Sequence, residues 1–293
     1  MTGNTLGWVI VAFVLYLLMM IAIGAFYAKG NNNSEDYFLG GRKLNGFVAA
    51  LSAQASDMSG WLLMGLPGAI YLTGVGGDGW IAIGLFIGTT LNWLFIATKL
   101  RRYTIRANNS VTLPTYFENR FHDEKKVLMA VSSITIVVFF LVYCASALSA
   151  GGQLFESVFG IDYHVALTIG ALVVLVYTFL GGFTAVCVTD FIQGMLMLVG
   201  ILAVPLFAYH FLTTGGTTLS AGLEASGADS ANFLNLMKNG DGSNNIISVI
   251  SGLGWGLGYF GMPHILVRFM AVRDEKEMTK SKATAISWVA LSL

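Results

Sequence analysis

GFVAALSAQASDMSGWLLMGLPGAIY, residues 46–71, decides how this chain is read. It is long and apolar enough to cross the roughly 30 Å hydrocarbon core of a bilayer. Yet its middle carries Ser52, Gln54, Ser56, Asp57, Ser59 and Gly60, followed by Gly65, Pro67 and Gly68. A second stretch has the same character: IISVISGLGWGLGYFGMPHILVRFMA, residues 246–271, interrupted by five glycines and Pro263. Both have the composition of helices that unwind. In lipid, backbone groups freed by unwinding are tolerated only where they line a cavity or are buried in protein.

The rest of the chain makes the bilayer its solvent. Of 293 residues, 55% are hydrophobic and 11% charged, against about 25% charged in soluble domains. Net charge is zero with no basic region, which argues against nucleic acid as a partner. Cys144 and Cys187 fall in apolar segments and read as packing residues, not a disulfide. Met1 to Ala28 has no basic leader and too long an apolar run for a signal sequence, so it predicts a retained membrane helix.

Apolar runs predict seven complete spans, at 6–28, 46–71, 79–98, 127–157, 164–182, 188–212 and 246–271, and an eighth that begins near Ala283 and is cut off at Leu293. The expectation is an all-α polytopic membrane protein, truncated after about seven transmembrane helices. The connections on one side, with the helix ends bordering them, hold fifteen of the sixteen Lys and Arg residues; the other side holds Lys238 alone. By the positive-inside rule the charged side is cytoplasmic and the N-terminus lies outside the cell membrane. The 213–245 segment is then an external loop, and the 99–126 connection is a place for a short interfacial helix.

Five spans lie between 46 and 212, so 246–271 enters from the opposite side. The two interrupted helices therefore begin successive units of opposite topology. That is the sequence pointer to an inverted-repeat transporter with its binding site near the midplane. The domain reading is a leading helix (1–28), a first five-helix repeat (46–212), the external loop (213–245) and the start of a second repeat (246–293).

Asp57 is the strongest single candidate for the chemistry. A carboxylate at mid-membrane costs about 2.5–3.5 kcal/mol on insertion scales, so it persists with a partner or a task. A hard cation such as sodium suits the oxygens at hand; the bland alternative is a structural hydrogen bond to a neighbouring helix. Ser56, Ser59 and Gly60 share the stretch and read equally well as packing residues. Trp255, Tyr259 and Pro263 lie four apart, a spacing that places them on one helical face, either for a solute ring or for core packing. Tyr143 needs a partner for its hydroxyl in mid-span, from solute or helix. His264 reads as a bonded structural histidine, Asp190 as a cap opening the sixth span, and Arg42 as cytoplasmic charge. No P-loop, dinucleotide motif or triad appears, and no enzyme is expected.

DYFLGGR (36–42), LSAQASDMSGWLLMGLPGAIY (51–71), LVYCASAL (141–148) and GWGLGYFGMPHILVRFMA (254–271) closely resemble the sodium:solute symporter family, over essentially the whole chain. The resemblance implies a LeuT-type fold of two inverted five-helix repeats behind an extra leading helix. It implies sodium-coupled uptake of a small solute, proline above all, with sodium as coupling ion and no cofactor. Carried over residue by residue, it implies sodium binding by Asp57 and by the carbonyls of Ala55 and Met58, with Ser59 and Gly60 beside the ion. Ser59, Trp61, Tyr143, Trp255, Tyr259 and Pro263 would contact or shape the solute site. Arg42 and Asp190 would serve coupling at the cytoplasmic side. Family members complete the ion site with hydroxyls from a later helix, beyond Leu293. One departure stands out: Met262 occupies a position that is Gln in the proline-carrying branch. The rival readings are the same fold with another solute (a sugar, pantothenate, another amino acid) and a transporter-like membrane sensor module.

Overall fold

The computed structural model describes residues 3–293, with side chains from residue 7 onward. Fourteen α-helices follow in order: α1 (Gly3–Ala28), α2 (Ser34–Leu39), α3 (Gly46–Gly60), α4 (Leu66–Thr73), α5 (Val75–Leu91), α6 (Ala97–Arg106), α7 (Leu113–Phe121), α8 (Val127–Phe159), α9 (Tyr163–Thr214), α10 (Leu219–Ala225), α11 (Ser230–Phe233), α12 (Ile246–Trp255), α13 (Pro263–Ala271) and α14 (Glu275–Ser292). No strand is present among the described residues, only isolated bridges.

Both stretches expected to unwind are broken. Between α3 and α4 the break falls at Ser59, whose φ of +38° is left-handed backbone that side chains resist; a π-helical turn, Trp61–Gly65, follows. Between α12 and α13 the chain tightens into a 3₁₀ turn, Gly256–Phe260, and bends by 43° before Pro263 restarts the helix.

The broken pair run antiparallel. At one face Leu44, just before α3, pairs with Val272, just after α13: Leu44 N–H donates to the Ala271 carbonyl and Arg273 N–H to the Leu44 carbonyl. At the other face Asn245, which opens α12, donates to the carbonyls of Gly76 and Leu236. Gly240 N–H reaches the Thr73 carbonyl there. Glycines let α5 and α12 touch between these ends. A Cβ on Gly84 would sit 2.3 Å from the Gly252 carbonyl oxygen, and one on Gly88 2.2 Å from that of Gly256.

Three boundaries differ from the sequence reading. Residues 183–187 form no loop: α9 runs for 52 residues and turns at one residue, Gly182, with φ +61°. A helix that long measures about 78 Å, far more than a bilayer core. Gly182 packs on the Tyr37 carbonyl, on the Leu44 face, so α9 reaches that face and leaves it again, supplying two crossings. The last helix begins at Glu275, eight residues before Ala283, because Asp274 caps it by accepting from Glu277 N–H; capping, not apolarity, sets a helix start. α5 and α6 run on together to Arg106, past 98, carrying a basic end out of the apolar zone. The interfacial helix expected within 99–126 is α7, opened by a Thr112 capping box with Pro114.

The main core gathers where α3, α13 and α14 meet, with Ala49, Ala50 and Ala53 against Phe269, Met278 and Ala285, and Trp93 edge-on to Phe269. The long apolar faces of α1, α8 and α9 are exposed, as a bilayer-embedded bundle requires.

Candidate ion and solute site

The two breaks face one another, and three layers of contacts cross between them. In the layer nearer the Thr73 end, Trp61 and Trp255 stack at 5.8 Å between ring centroids, 20° from parallel. Asp57 and Tyr259 hold the middle layer. Tyr259 is almost fully buried, and its hydroxyl donates to Asp57 Oδ2. The backbone freed there is satisfied by side chains: Asn92 donates to the Tyr259 carbonyl at 2.8 Å, and Tyr143 from α8 to the Ser56 carbonyl at 3.1 Å. That is how unwound backbone survives at membrane depth.

Nearer the Asn45 end lies a buried ionic knot. Arg268 donates to Asp190 Oδ2 at 2.9 Å, to Ser52 Oγ at 3.0 Å, to Ser56 Oγ at 2.7 Å and to the His264 carbonyl. Both serine hydroxyls donate to the same Asp190 oxygen. Ser52 and Ser56, four apart, share one face of α3 and link α13 to α9.

Several sequence expectations change here. Asp190 caps no helix; with the turn moved to Gly182 it stands eight residues inside helical chain and pairs with Arg268. Arg268, counted as boundary charge, is 5% exposed and was missed. Its signal was available: an arginine five residues after Pro263, inside an apolar stretch, is expensive unless paired. Trp255 and Tyr259 both meet the other broken stretch, Trp255 half exposed on Trp61 and Tyr259 buried on Asp57, but across a 3₁₀ turn in place of a regular helix, and Pro263 opens α13 beyond the bend. His264 is no bonded histidine; neither ring nitrogen has a hydrogen-bond partner among the described residues.

The remaining candidates fall as follows. Ala55 and Met58 are buried on α3 beside Asp57. The Met58 carbonyl accepts from Trp61 N–H and keeps a second lone pair. Ser59 and Gly60 form the break. Arg42 makes none of these contacts and is not loose surface charge. It is buried at the Leu44 face, donating to Asn109 Oδ1, Thr104 Oγ1 and the carbonyls of Met270 and Ser110, with Glu35 at 3.4 Å. Burial draws its guanidinium below the usual value, and Glu35 opposes the shift.

The sequence profile of the Sodium:solute symporter family matches residues 37–293. This chain belongs to the sodium:solute symporter family. The sodium/proline symporter of Salmonella typhimurium is 45% identical over 284 residues, 97% of this chain and 55% of that protein. Those of Escherichia coli and Haemophilus influenzae are 44% and 46% identical over the same share. The chain thus spans about half the length of the curated relatives it matches. A Na+-coupled sialic acid symporter, solved substrate-bound and outward-open, superposes with a TM-score of 0.75 at 21% identity, over 94% of this chain and 56% of that one. Membership in this symporter family, with the long apolar helices, makes the chain an integral membrane protein.

Proposed function

We propose that this chain carries the solute-binding residues and part of the sodium site of a sodium-coupled symporter for L-proline working by alternating access in the cell inner membrane. The observation that carries the reading is the carboxylate of Asp57, 7% exposed, two residues from a helix break and facing a second broken helix. Tyr259 occupies one carboxylate oxygen, and the other accepts no hydrogen bond among the described residues. Sodium meets Asp57 Oδ1 and the carbonyls of Ala55 and Met58, beside Ser59 and Gly60. The solute lies between the Trp61–Trp255 stack and the Tyr143–Tyr259 layer, with Pro263 as its floor. Arg42 and Asp190 couple the site to the cytoplasmic face. The N-terminus is outside, and the repeats are 46–212 and 246 onward.

The energetics allow one ion per solute. One charge moving down 100 mV supplies about 2.3 kcal/mol, and a tenfold sodium ratio adds about 1.4 kcal/mol. Their sum sustains a solute ratio of a few hundredfold.

Uptake of labelled proline by the full-length parent, with and without a sodium gradient, tests this. Sodium should stimulate uptake, and Asp57→Asn should lower the stimulated rate at least about tenfold, the loss of one charge-assisted contact. Uptake indifferent to sodium, or to Asp57→Asn, sinks the proposal. Met262 supports a second reading, the same fold carrying another solute. It is the N-cap of α13 without a side-chain cap bond, beside Pro263. Competition by sugars, pantothenate and other amino acids decides between them.

A further inference from the structure

The side chain of His264 has no part in the site described above. Its side chain is 13% exposed, and both ring nitrogens are buried without a hydrogen-bond partner among the described residues. Leaving such groups unpaired in the folded state is unfavourable, so they mark a place where a partner is received. The ring cannot readily turn away to find one. Tyr143 stacks on it at 5.7 Å and 22° from parallel, and Phe140 packs edge-on at 5.4 Å. Nε2 lies 3.8 Å from Asp57 Oδ1, too far for a hydrogen bond. The imidazole is therefore held in the layer between the two breaks, beside the carboxylate and against the aromatic wall from α8.

A neutral imidazole offers one N–H donor and one nitrogen acceptor. Of the common small solutes, a zwitterionic amino acid matches that pair: its carboxylate takes the donor and its ammonium faces the acceptor and Asp57. A sugar or another neutral polyol has no anionic end to reward the donor.

We infer that His264 is a specificity-determining residue that contacts the charged head group of the transported amino acid. The inference rests on the symporter reading above and adds to it the head-group contact.

The test uses the full-length parent, comparing wild type with His264→Phe, which keeps the aromatic stack without donor or acceptor, and His264→Gln, which keeps both. The half-saturating proline concentration should rise roughly tenfold or more in the Phe variant, as expected for loss of a hydrogen bond to a charged group. The Gln variant should stay within a few-fold of wild type, and the sodium concentration for half-maximal uptake should be unchanged in both. Prolinamide, which lacks the carboxylate, should compete poorly with proline in wild type and relatively better in the Phe variant. If the Phe variant does not fold, His264→Leu against His264→Gln makes the same comparison. Unchanged proline affinity without the imidazole, or a shift confined to sodium, overturns the assignment and leaves the symporter reading standing. A wild-type parent that takes up no proline overturns both.

Discussion

At the scale of single residues, the bilayer makes each charge accountable, and Arg268 is the clearest case. Its guanidinium makes bonds in four directions, to a carboxylate, two hydroxyls and a carbonyl. Lysine has no planar fork to do the same. Breaking a buried pair by removing one member costs about 3–5 kcal/mol, because the survivor stays buried and charged, whereas removing both members costs much less. We expect Arg268→Met and Asp190→Leu each to reduce the folded yield of the full-length parent in detergent sharply. The double variant should recover most of it. Thermal unfolding followed by size-exclusion chromatography reads the outcome; additive losses in the double variant would show that the two side chains act independently. Folding recovery need not restore transport, since Asp190 also serves coupling in the proposed function.

At the scale of elements, the α5–α12 contact rests on paired glycines. An added Cβ at Gly84 or Gly252 meets backbone or the fixed root of a side chain at under 3 Å, where nothing soft can yield. Close backbone approach of this kind substitutes for the hydrophobic effect inside lipid. Gly254 lies on the same helix with open space around its Cβ position. Gly84→Val or Gly252→Val should lower the unfolding temperature and separate the broken helix from its neighbour. Gly254→Ala should leave stability equal or raise it by about 0.5–1 kcal/mol through helix propensity. A Gly84→Val protein as stable as wild type would refute the contact.

The same elements show what the sequence made legible. The two breaks were readable because Gly, Pro and polar residues interrupting an apolar run have no other cheap explanation in lipid. Asp57 was readable for the same reason. What escaped was depth and angle. A hydropathy pattern places Arg268 at the end of a span without saying that the end is inside protein. A four-residue spacing predicts one regular face for Trp255, Tyr259 and Pro263, whereas Trp255 and Tyr259 reach Trp61 and Asp57 across a turn that tightens, and Pro263 follows a bend. Asp190 reads as a helix start because hydropathy suggests a loop before it, where one left-handed glycine, Gly182, makes the turn.

At the scale of the whole molecule, the contacts fix which segments share a face, and the proposed orientation gives each face a compartment to be tested. Leu44, Val272, Tyr37 and Gly182 belong together, with Asn109 tied to them through Arg42. Thr73, Gly76, Gly240 and Asn245 belong together at the other end of the broken helices. The first group carries the basic connections, and the orientation proposed above puts it inside the cell. The α9 turn makes this testable in one experiment, because a single crossing by α9 would put Glu124 and Ser226 on the same side and two crossings put them on opposite sides. Both positions are exposed. Cys144 is exposed and Cys187 buried, so both are first replaced, by Ser and Ala. In intact cells a membrane-impermeant maleimide should then label Ser226→Cys readily and Glu124→Cys only after permeabilisation. The reverse pattern inverts the orientation, and labelling of both from outside removes the second crossing at Gly182.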